Sequence, residues 1–588
     1  MSSLVGFTIF KDLTQNNIAA LDRVHDNVLS QFMHLNRHCL KIGETHLEVW
    51  GHEGISERIH TLPDGSLAAL IGSPHQLVDW AQVQDALLSS KFELPWDGRV
   101  ILLRVSADGK RWNMWNDWMG SIPVYYADIG IGRIASTLEP VTVAAAGYTP
   151  EDFHMPGLVS LLVNGHFISD WTLFKGMKTI PPDSVAEWDE SGVRTKQVWS
   201  VKPSQSRWET GWDDLVDEMH ELSFRAIADI LKTQSSWTLP LSSGLDSRLI
   251  AGVTADVGAN LYTYAYGTSD MTDVVYSRQI AKTLGFPWKH IELPKDFLVK
   301  YTRRWADWYG SSLHFHGMYQ MAFLDEIADE PGGPILSGLL GETIAGDGLS
   351  EHTKFHHTHP AVNRVGRKWF TFWAPDELKS VLKISIEEAI EANAVEIKKL
   401  VDNVPGATFQ KIQFLRLGGR QRFFTSYQAT LSDYWRGVAN PYMNRTYARF
   451  CLSLSLAALD GRRLHEDVYR RYYGRLAVIP GTYARDPLIL TGRYLLLRRI
   501  AEFLPAKFHW GLLKGFDDIP PRMDSMSIQA NGMDALWPLS ETKKQLSEWL
   551  DFSHLEQDYQ TLMHSKEDVR PLRRLQSVQT LAYRLLEI

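Results

Sequence analysis

Apolar positions recur along this chain in two rhythms. Over the first 200 residues they come as short runs at 66–72, 99–105, 111–116 and 123–126. Between them stand turn signals: Pro63-Asp64-Gly65, Asp108-Gly109 and the stretch 128–132. Short apolar runs bounded by such residues predict strands, so this region reads as β-rich. The stretch 201–208, with Pro203 and neighbouring serines, predicts a linker. From 212 to 233 the apolar residues Leu215, Met219, Leu222, Ile227 and Ile230 have the spacing of an amphipathic helix. Residues 237–241 then form an apolar run fit for a buried strand, and a helical pattern follows from Arg248 to about Val257. A strand at 261–267, a helix at 274–284 and a strand at 289–293 complete a βαβαβ run. That succession implies a parallel sheet with helices on both faces, and ligands bind beyond the carboxyl ends of such strands. The rest of the chain reads as helical, including terminal helices within 521–588.

Composition narrows the classes. With 588 residues the chain has room for two to four domains, and 44% hydrophobic with 22% charged residues is ordinary for a globular protein. A net charge of −8 without a Lys/Arg run gives no footprint for nucleic acid. Two cysteines, Cys39 and Cys451, are too few for a disulfide framework or a Cys-rich zinc site. Residues 1–11 lack the pattern of a signal peptide, and no run of about 18 apolar residues occurs. The expectation is a cytoplasmic protein without membrane insertion. His352 and His356 have a zinc-like spacing, but no carboxylate arrangement accompanies them. With His314, His316, His357 and His359 they read as solvated or substrate-facing loop residues.

The chemistry concentrates in Leu241-Ser242-Ser243-Gly244-Leu245-Asp246-Ser247, between a predicted strand and a predicted helix. A strand–loop–helix unit turns backbone N–H groups and a helix N-terminus toward an anion, with Ser hydroxyls as extra donors. Phosphate is the natural ligand, although no G-x-x-x-x-G-K-[ST] loop occurs. Ser242–Ser247 resembles the S-G-G-x-D-S pyrophosphate loop of the asparagine-synthetase-like ATP pyrophosphatases. The resemblance implies that 241–247 holds the β- and γ-phosphates of ATP and that Asp246 ligates Mg²⁺. A carboxylate then attacks the α-phosphate, giving an acyl-adenylate and pyrophosphate. It also implies that Tyr266 and Gly267, at the end of the next strand, lie near adenine. Asp273 is either a helix N-cap or a nucleotide contact.

Residues 335–346 are similar to that family's second signature, S-G-E-G-A-D-E-L-F-G-G. The alignment brings Gly338 to the nucleotide and sets Glu342 on the family's second Mg²⁺ ligand. Glu for Asp keeps the charged oxygen donor that Mg²⁺ prefers. Leu339 stands where β-lactam-forming members carry a Tyr, which disfavours that chemistry. Residues 440–444 resemble V-P-F-L-D, preceded by Arg416, Arg420 and Arg422. Residues 513–520 resemble K-K-G-F-x-V-P, which implies that Lys514 stabilises the adenylate or its successor, offsetting growing negative charge.

Ahead of all this, 116–126 and 134–139 match R-D-x-x-G-x-x-P-L-Y-Y … F-A-S-E of class II glutamine amidotransferase domains. Segments 164–167, 172–177 and 180–182, with Trp199, resemble the part that closes that domain. The implied nucleophile, an N-terminal Cys, is missing: Ser2 and Ser3 follow Met1, and Asn116 replaces the Arg of the core. A Ser hydroxyl is a far poorer nucleophile than a thiol without an activating base.

The resemblances together imply an α/β protein. An N-terminal αββα Ntn-like sandwich at 1–200, with its glutaminase chemistry lost, precedes an ATP-pyrophosphatase synthetase domain at 201–588, with a parallel sheet and a helical C-terminal half. The expected catalytic residues are Asp246, Glu342 and Lys514, with ATP and Mg²⁺. The expected activity is an ATP-dependent ligase that adenylates a carboxylate and joins it to an amine or ammonia. A lasso-peptide-type macrolactam cyclase and a catalytically silent nucleotide-binding scaffold are the alternatives. The expected partner is a small-molecule, glycan or peptide substrate with a carboxylate; a second copy of the chain or a pathway protein is the candidate protein partner.

Overall fold

The computed structural model describes residues 4–88, 92–130, 132–313, 315, 317–347, 349, 373–481, 487–489, 519–532, 535, 546–564 and 570–587. Within them the expected α/β architecture holds.

The N-terminal region is one twelve-stranded, curled sheet. Its path runs Met177–Thr179, Tyr125–Ile129, Gly132–Ser136, Leu4–Lys11, Leu67–Pro74, Gly98–Val105, Trp112–Asn116, Ser184–Asp189 and Gly192–Gln197. Neighbours are antiparallel except at the centre, where Leu4–Lys11 meets Leu67–Pro74 through the single parallel pair Leu4↔Ile71. At that narrow seam the sheet folds, and its halves face each other. Phe7, Ile9, Tyr126 and Ala135 from one half share a core with Ala69, Ile71, Leu103 and Met114 from the other.

Strand periodicity then decides the outer layers, because successive side chains point to opposite faces. Ala69 and Ile71 point inward, while Ala68 and Leu70 pack outward against Val83 and Leu87 of helix Trp80–Leu87. On the opposite outer face, helices Gln15–Leu29 and Glu139–Ala146 cover Val5, Trp50 and Ile134 with Leu21, Val28 and Val141. The order of layers is helix, sheet, sheet, helix.

The second sheet is parallel throughout, in the order Trp288–Ile291, Asn260–Tyr266, Ser236–Pro240, Ile335–Leu336 and Val438–Ala439. Helices Trp212–Leu231, Leu245–Val257 and Thr272–Leu284 flank it, the second starting three residues before the expected Arg248. Helices such as Glu387–Asn403, Arg463–Tyr472 and Arg570–Glu587 follow.

Buried polar contacts join the N-terminal sheet to the later helices. Arg99 and Asp433, both 2% exposed, pair with Nε 3.3 Å from Oδ2. Arg99 also donates to the carbonyls of Ser121 and Ser426 and to Thr430 Oγ1. Trp50 Nε1 donates to Tyr434 Oη at 2.8 Å. Glu139 holds Arg584. Among the described residues no helix is long and apolar enough to cross a membrane.

Candidate functional site

A cavity of about 370 Å³ opens at the carboxyl ends of the parallel strands, where the sheet topology predicts a ligand. Ser236–Pro240 delivers the loop 241–244 to its floor, and helix Leu245–Val257 leaves from there. Gly244 caps the helix in extended conformation with no side-chain bond, so the first turn faces the cavity with donors that have no intrahelical acceptor.

The loop is cross-braced. Ser242 N–H donates to Ser247 Oγ at 3.1 Å, the two hydroxyls are 2.9 Å apart, and Gly244 N–H donates to Ser242 Oγ at 3.2 Å. Asp273 is not an N-cap: helix Thr272–Leu284 is capped by Met271. Its carboxylate instead accepts from Ser243 N–H at 2.7 Å and from Ser243 Oγ at 2.5 Å. The buried Arg248 guanidinium clamps the same loop from behind, donating to the carbonyls of Ser243, Leu476, Ile479 and Pro480. These bonds set the loop's shape before any ligand arrives.

The expected residues therefore divide. Ser242, Gly244, Asp246, Ser247, Tyr266, Gly338 and Glu342 line the cavity. Ser243 is buried and turned to Asp273. Leu241 lies in the apolar core with its N–H bound to Tyr264 O, and Leu245 packs against that core while its carbonyl accepts from Tyr469 Oη. Gly267, at φ +117, packs against Met271 and accepts from His290 Nε2 at 2.7 Å. Ser2, Lys514 and the histidines at 314, 316, 352, 356, 357 and 359 lie outside the described residues.

The second signature presses directly on the first. A Cβ added at Gly341 would come within 2.5 Å of Asp246 Cγ, and one at Gly338 within 3.2 Å of Ser247 N. This close approach carries Glu342 into the same cavity as Asp246. Tyr442, in the 440–444 segment, donates from Oη to Asp246 O at 3.0 Å, and Asn440 Nδ2 donates to Leu339 O at 3.0 Å.

One residue at the site went unforeseen. Arg462 spans both Asp246 carboxylate oxygens and is nearly buried. Burial pushes the Asp246 carboxyl up to about 6; Arg462 opposes that shift, while Glu342 and Asp347 add to it. Arg462 is raised in turn, with Asp246 outweighing the cost of burial. No local pattern announces Arg462, which is 216 residues from its partner.

Elsewhere, Asn116 bonds within the N-terminal domain. Its Nδ2 donates to Pro181 O at 2.7 Å and its Oδ1 accepts from Ser184 N–H at 2.9 Å. A second cavity, of about 600 Å³, lies between the N-terminal sheet and helices Glu387–Asn403 and Thr408–Arg416. The π-helical segment Leu417–Ser426 separates the two: Gln421 and Thr425 line the first, Gly418, Gly419 and Arg422 the second. Wide turns of this type recur at functional sites.

Residues 219–338 match the family model described as asparagine synthase, a segment that includes the braced loop and ends at Gly338 on the cavity wall. They form an asparagine synthase domain. The asparagine synthase family is one of ATP-dependent amide ligases, and the braced loop lies within the matched segment, whereas Glu342, Gln421 and Arg462 of the cavity wall lie beyond it. No curated protein sequence matches the chain. Among solved structures, a glutamine phosphoribosylpyrophosphate amidotransferase from B. subtilis, complexed with ADP and GMP, aligns at 9% identity and a TM-score of 0.23. That alignment covers 48% of this chain and 65% of the other. A structure titled as the allosteric regulatory enzyme of purine biosynthesis aligns at 9% identity and TM-score 0.22, over 48% of this chain and 64% of its own. Superpositions this loose carry no weight for fold or function.

Proposed function

We propose that this protein activates a substrate carboxylate with ATP and transfers the acyl group to an amine or ammonia, without hydrolysing glutamine. The observation that carries the reading is the joint placement of Asp246, inside the segment that matches asparagine synthase, and Glu342, just beyond it, on one cavity.

In the first step a carboxylate oxygen bonds to the α-phosphorus of ATP, the bond to the bridging oxygen breaks, and pyrophosphate leaves with that electron pair. In the second, an amine nitrogen bonds to the acyl carbon, AMP leaves, and the nitrogen loses a proton. The braced loop supports the first step because its N–H groups and the open first turn of helix Leu245–Val257 favour the leaving phosphates. Tyr266, at the cavity wall against Tyr319 and Phe323, offers an aromatic surface to a base.

The donor set fits Mg²⁺, which takes one or two carboxylates and fills the rest of its shell with phosphate oxygens and water. Asp246 and Glu342 would hold it, and it would neutralise phosphate charge there. Asp347 adds negative charge nearby.

The nitrogen source follows from the N-terminal domain. Ser2 is not a thiol, and Asn116, which replaces the Arg of the core, hydrogen-bonds Pro181 and Ser184 within its own domain. The amine therefore arrives free or on the substrate, and the second cavity has room for a molecule much larger than ammonia. A natural-product, peptide or surface-glycan pathway suits such a ligase, and a macrolactam cyclase is its intramolecular form.

Carboxylate-dependent exchange of labelled pyrophosphate into ATP, screened over carboxylic acids, tests the reading. Asp246→Asn and Glu342→Gln should each abolish most exchange, because a neutral amide is a poor Mg²⁺ ligand. Full exchange by both at saturating Mg²⁺ would overturn the site. ATP binding without exchange on any carboxylate would instead favour a silent scaffold.

A further inference from the structure

Arg462 is held in an unusual way. It follows Gly461, at φ +63, and is itself left-handed at φ +61, immediately before helix Arg463–Tyr472. A side-chain-bearing residue rarely adopts that conformation unforced, so the surrounding fold imposes it. The consequence is positional: the guanidinium enters the wall of the nucleotide cavity and spans both oxygens of Asp246. Behind it, Nη2 donates to His465 Nδ1 at 2.5 Å, and burial together with Arg462 keeps that imidazole neutral. Nε has no hydrogen-bond partner although it is buried.

The pairing conflicts with the role that Asp246 has in the proposed chemistry. A divalent ion needs the carboxylate lone pairs at close range, and both oxygens already face a guanidinium. Two cations competing for one carboxylate repel each other strongly in a site this buried. The planar guanidinium fork matches phosphate oxygens as well as it matches a carboxylate.

We infer that Arg462 is a latch: it holds Asp246 while the site is empty, and passes to the phosphates of the nucleotide when Mg²⁺ takes the carboxylate. This rests on the reading that the cavity takes Mg²⁺ and ATP. Exchange of one cation for another keeps the buried Asp246 carboxylate neutralised at every stage. It also makes metal and phosphate binding interdependent, since each releases the group the other needs.

The test uses Mn²⁺ as the metal probe, titrated by electron paramagnetic resonance into the full chain without nucleotide. Pyrophosphate binding is measured separately by calorimetry. Arg462→Met should bind Mn²⁺ about tenfold more tightly and pyrophosphate about tenfold more weakly than the wild type, the scale of a typical coupling between two sites. Arg462→Lys, which keeps the charge but loses the fork, should shift both in the same directions by less. It decides the matter by itself if the Met variant does not fold, with circular dichroism as the check. Unchanged Mn²⁺ affinity in a folded variant, or weakening of both ligands together, overturns the latch alone. A wild-type protein that binds neither ATP nor pyrophosphate overturns the latch and the ATP reading together.

Discussion

Gly341→Ala separates the geometry of this site from its stability. A methyl group at Gly341 would stand 2.5 Å from Asp246 Cγ, 2.5 Å from Oδ1 and 2.9 Å from Cβ. Comfortable contact between such atoms is about 3.5–4.0 Å, so something must move by about 1 Å. Asp246 has little freedom to yield: its backbone belongs to the first turn of helix Leu245–Val257, and Arg462 grips both oxygens. Gly341 itself is not left-handed, and it begins the short helix Gly341–Ile344, so alanine suits its backbone. The whole effect should therefore fall on the relation between Asp246 and Glu342. A displacement of that size in a reacting site costs about 10²-fold in rate, or about 2.7 kcal/mol of barrier. Exchange of pyrophosphate into ATP reads the rate, and thermal unfolding reads the fold. Gly338→Ala is the graded control: its Cβ would be 3.2 Å from Ser247 N and 3.4 Å from Asp246 Cβ, so a few tenths of an ångström suffice and the loss should be smaller. Wild-type exchange by Gly341→Ala, or a loss explained by global unfolding, would refute the argument.

Three further outcomes are expected. Asp433→Asn should destabilise the protein by about 3–5 kcal/mol in denaturant titration, because it strands the buried Arg99 charge; a change below about 1 kcal/mol would show that the two-domain junction does not depend on this pair. Purified protein should release no glutamate from glutamine, with or without ATP, and release by the native chain would mean that the N-terminal domain retains a nucleophile. Gly418→Leu, whose Cβ meets nothing within 4 Å, should fill part of the second cavity and raise KM for the acyl or amine substrate about tenfold while sparing ATP binding; an unchanged KM would place that substrate elsewhere.

Local pattern was enough for the elements that build the nucleotide loop. The strand at 237–241, the helix after it and the βαβαβ run are each written in consecutive residues, because period and turn chemistry act over a few positions. The strand Leu4–Lys11 escaped that reading for a physical reason: it is buried on both faces of a four-layer domain and shows no alternation. The strands Ile335–Leu336 and Val438–Ala439 are two residues each, too short to carry a period, and exist because neighbours supply their hydrogen bonds. Motif resemblance pointed to Asp246 and Glu342, which line one cavity, and equally to Leu241, Ser243, Leu245 and Gly267, whose side chains or backbone groups serve the core and the loop's own bracing. Which member of a motif faces the ligand depends on how the turn is pinned, and here Asp273 and Arg248 do the pinning. Arg462 marks the furthest limit. Its left-handed backbone and its grip on Asp246 come from packing between segments 216 residues apart, and a contact of that range leaves no trace in the spacing of residues along the chain.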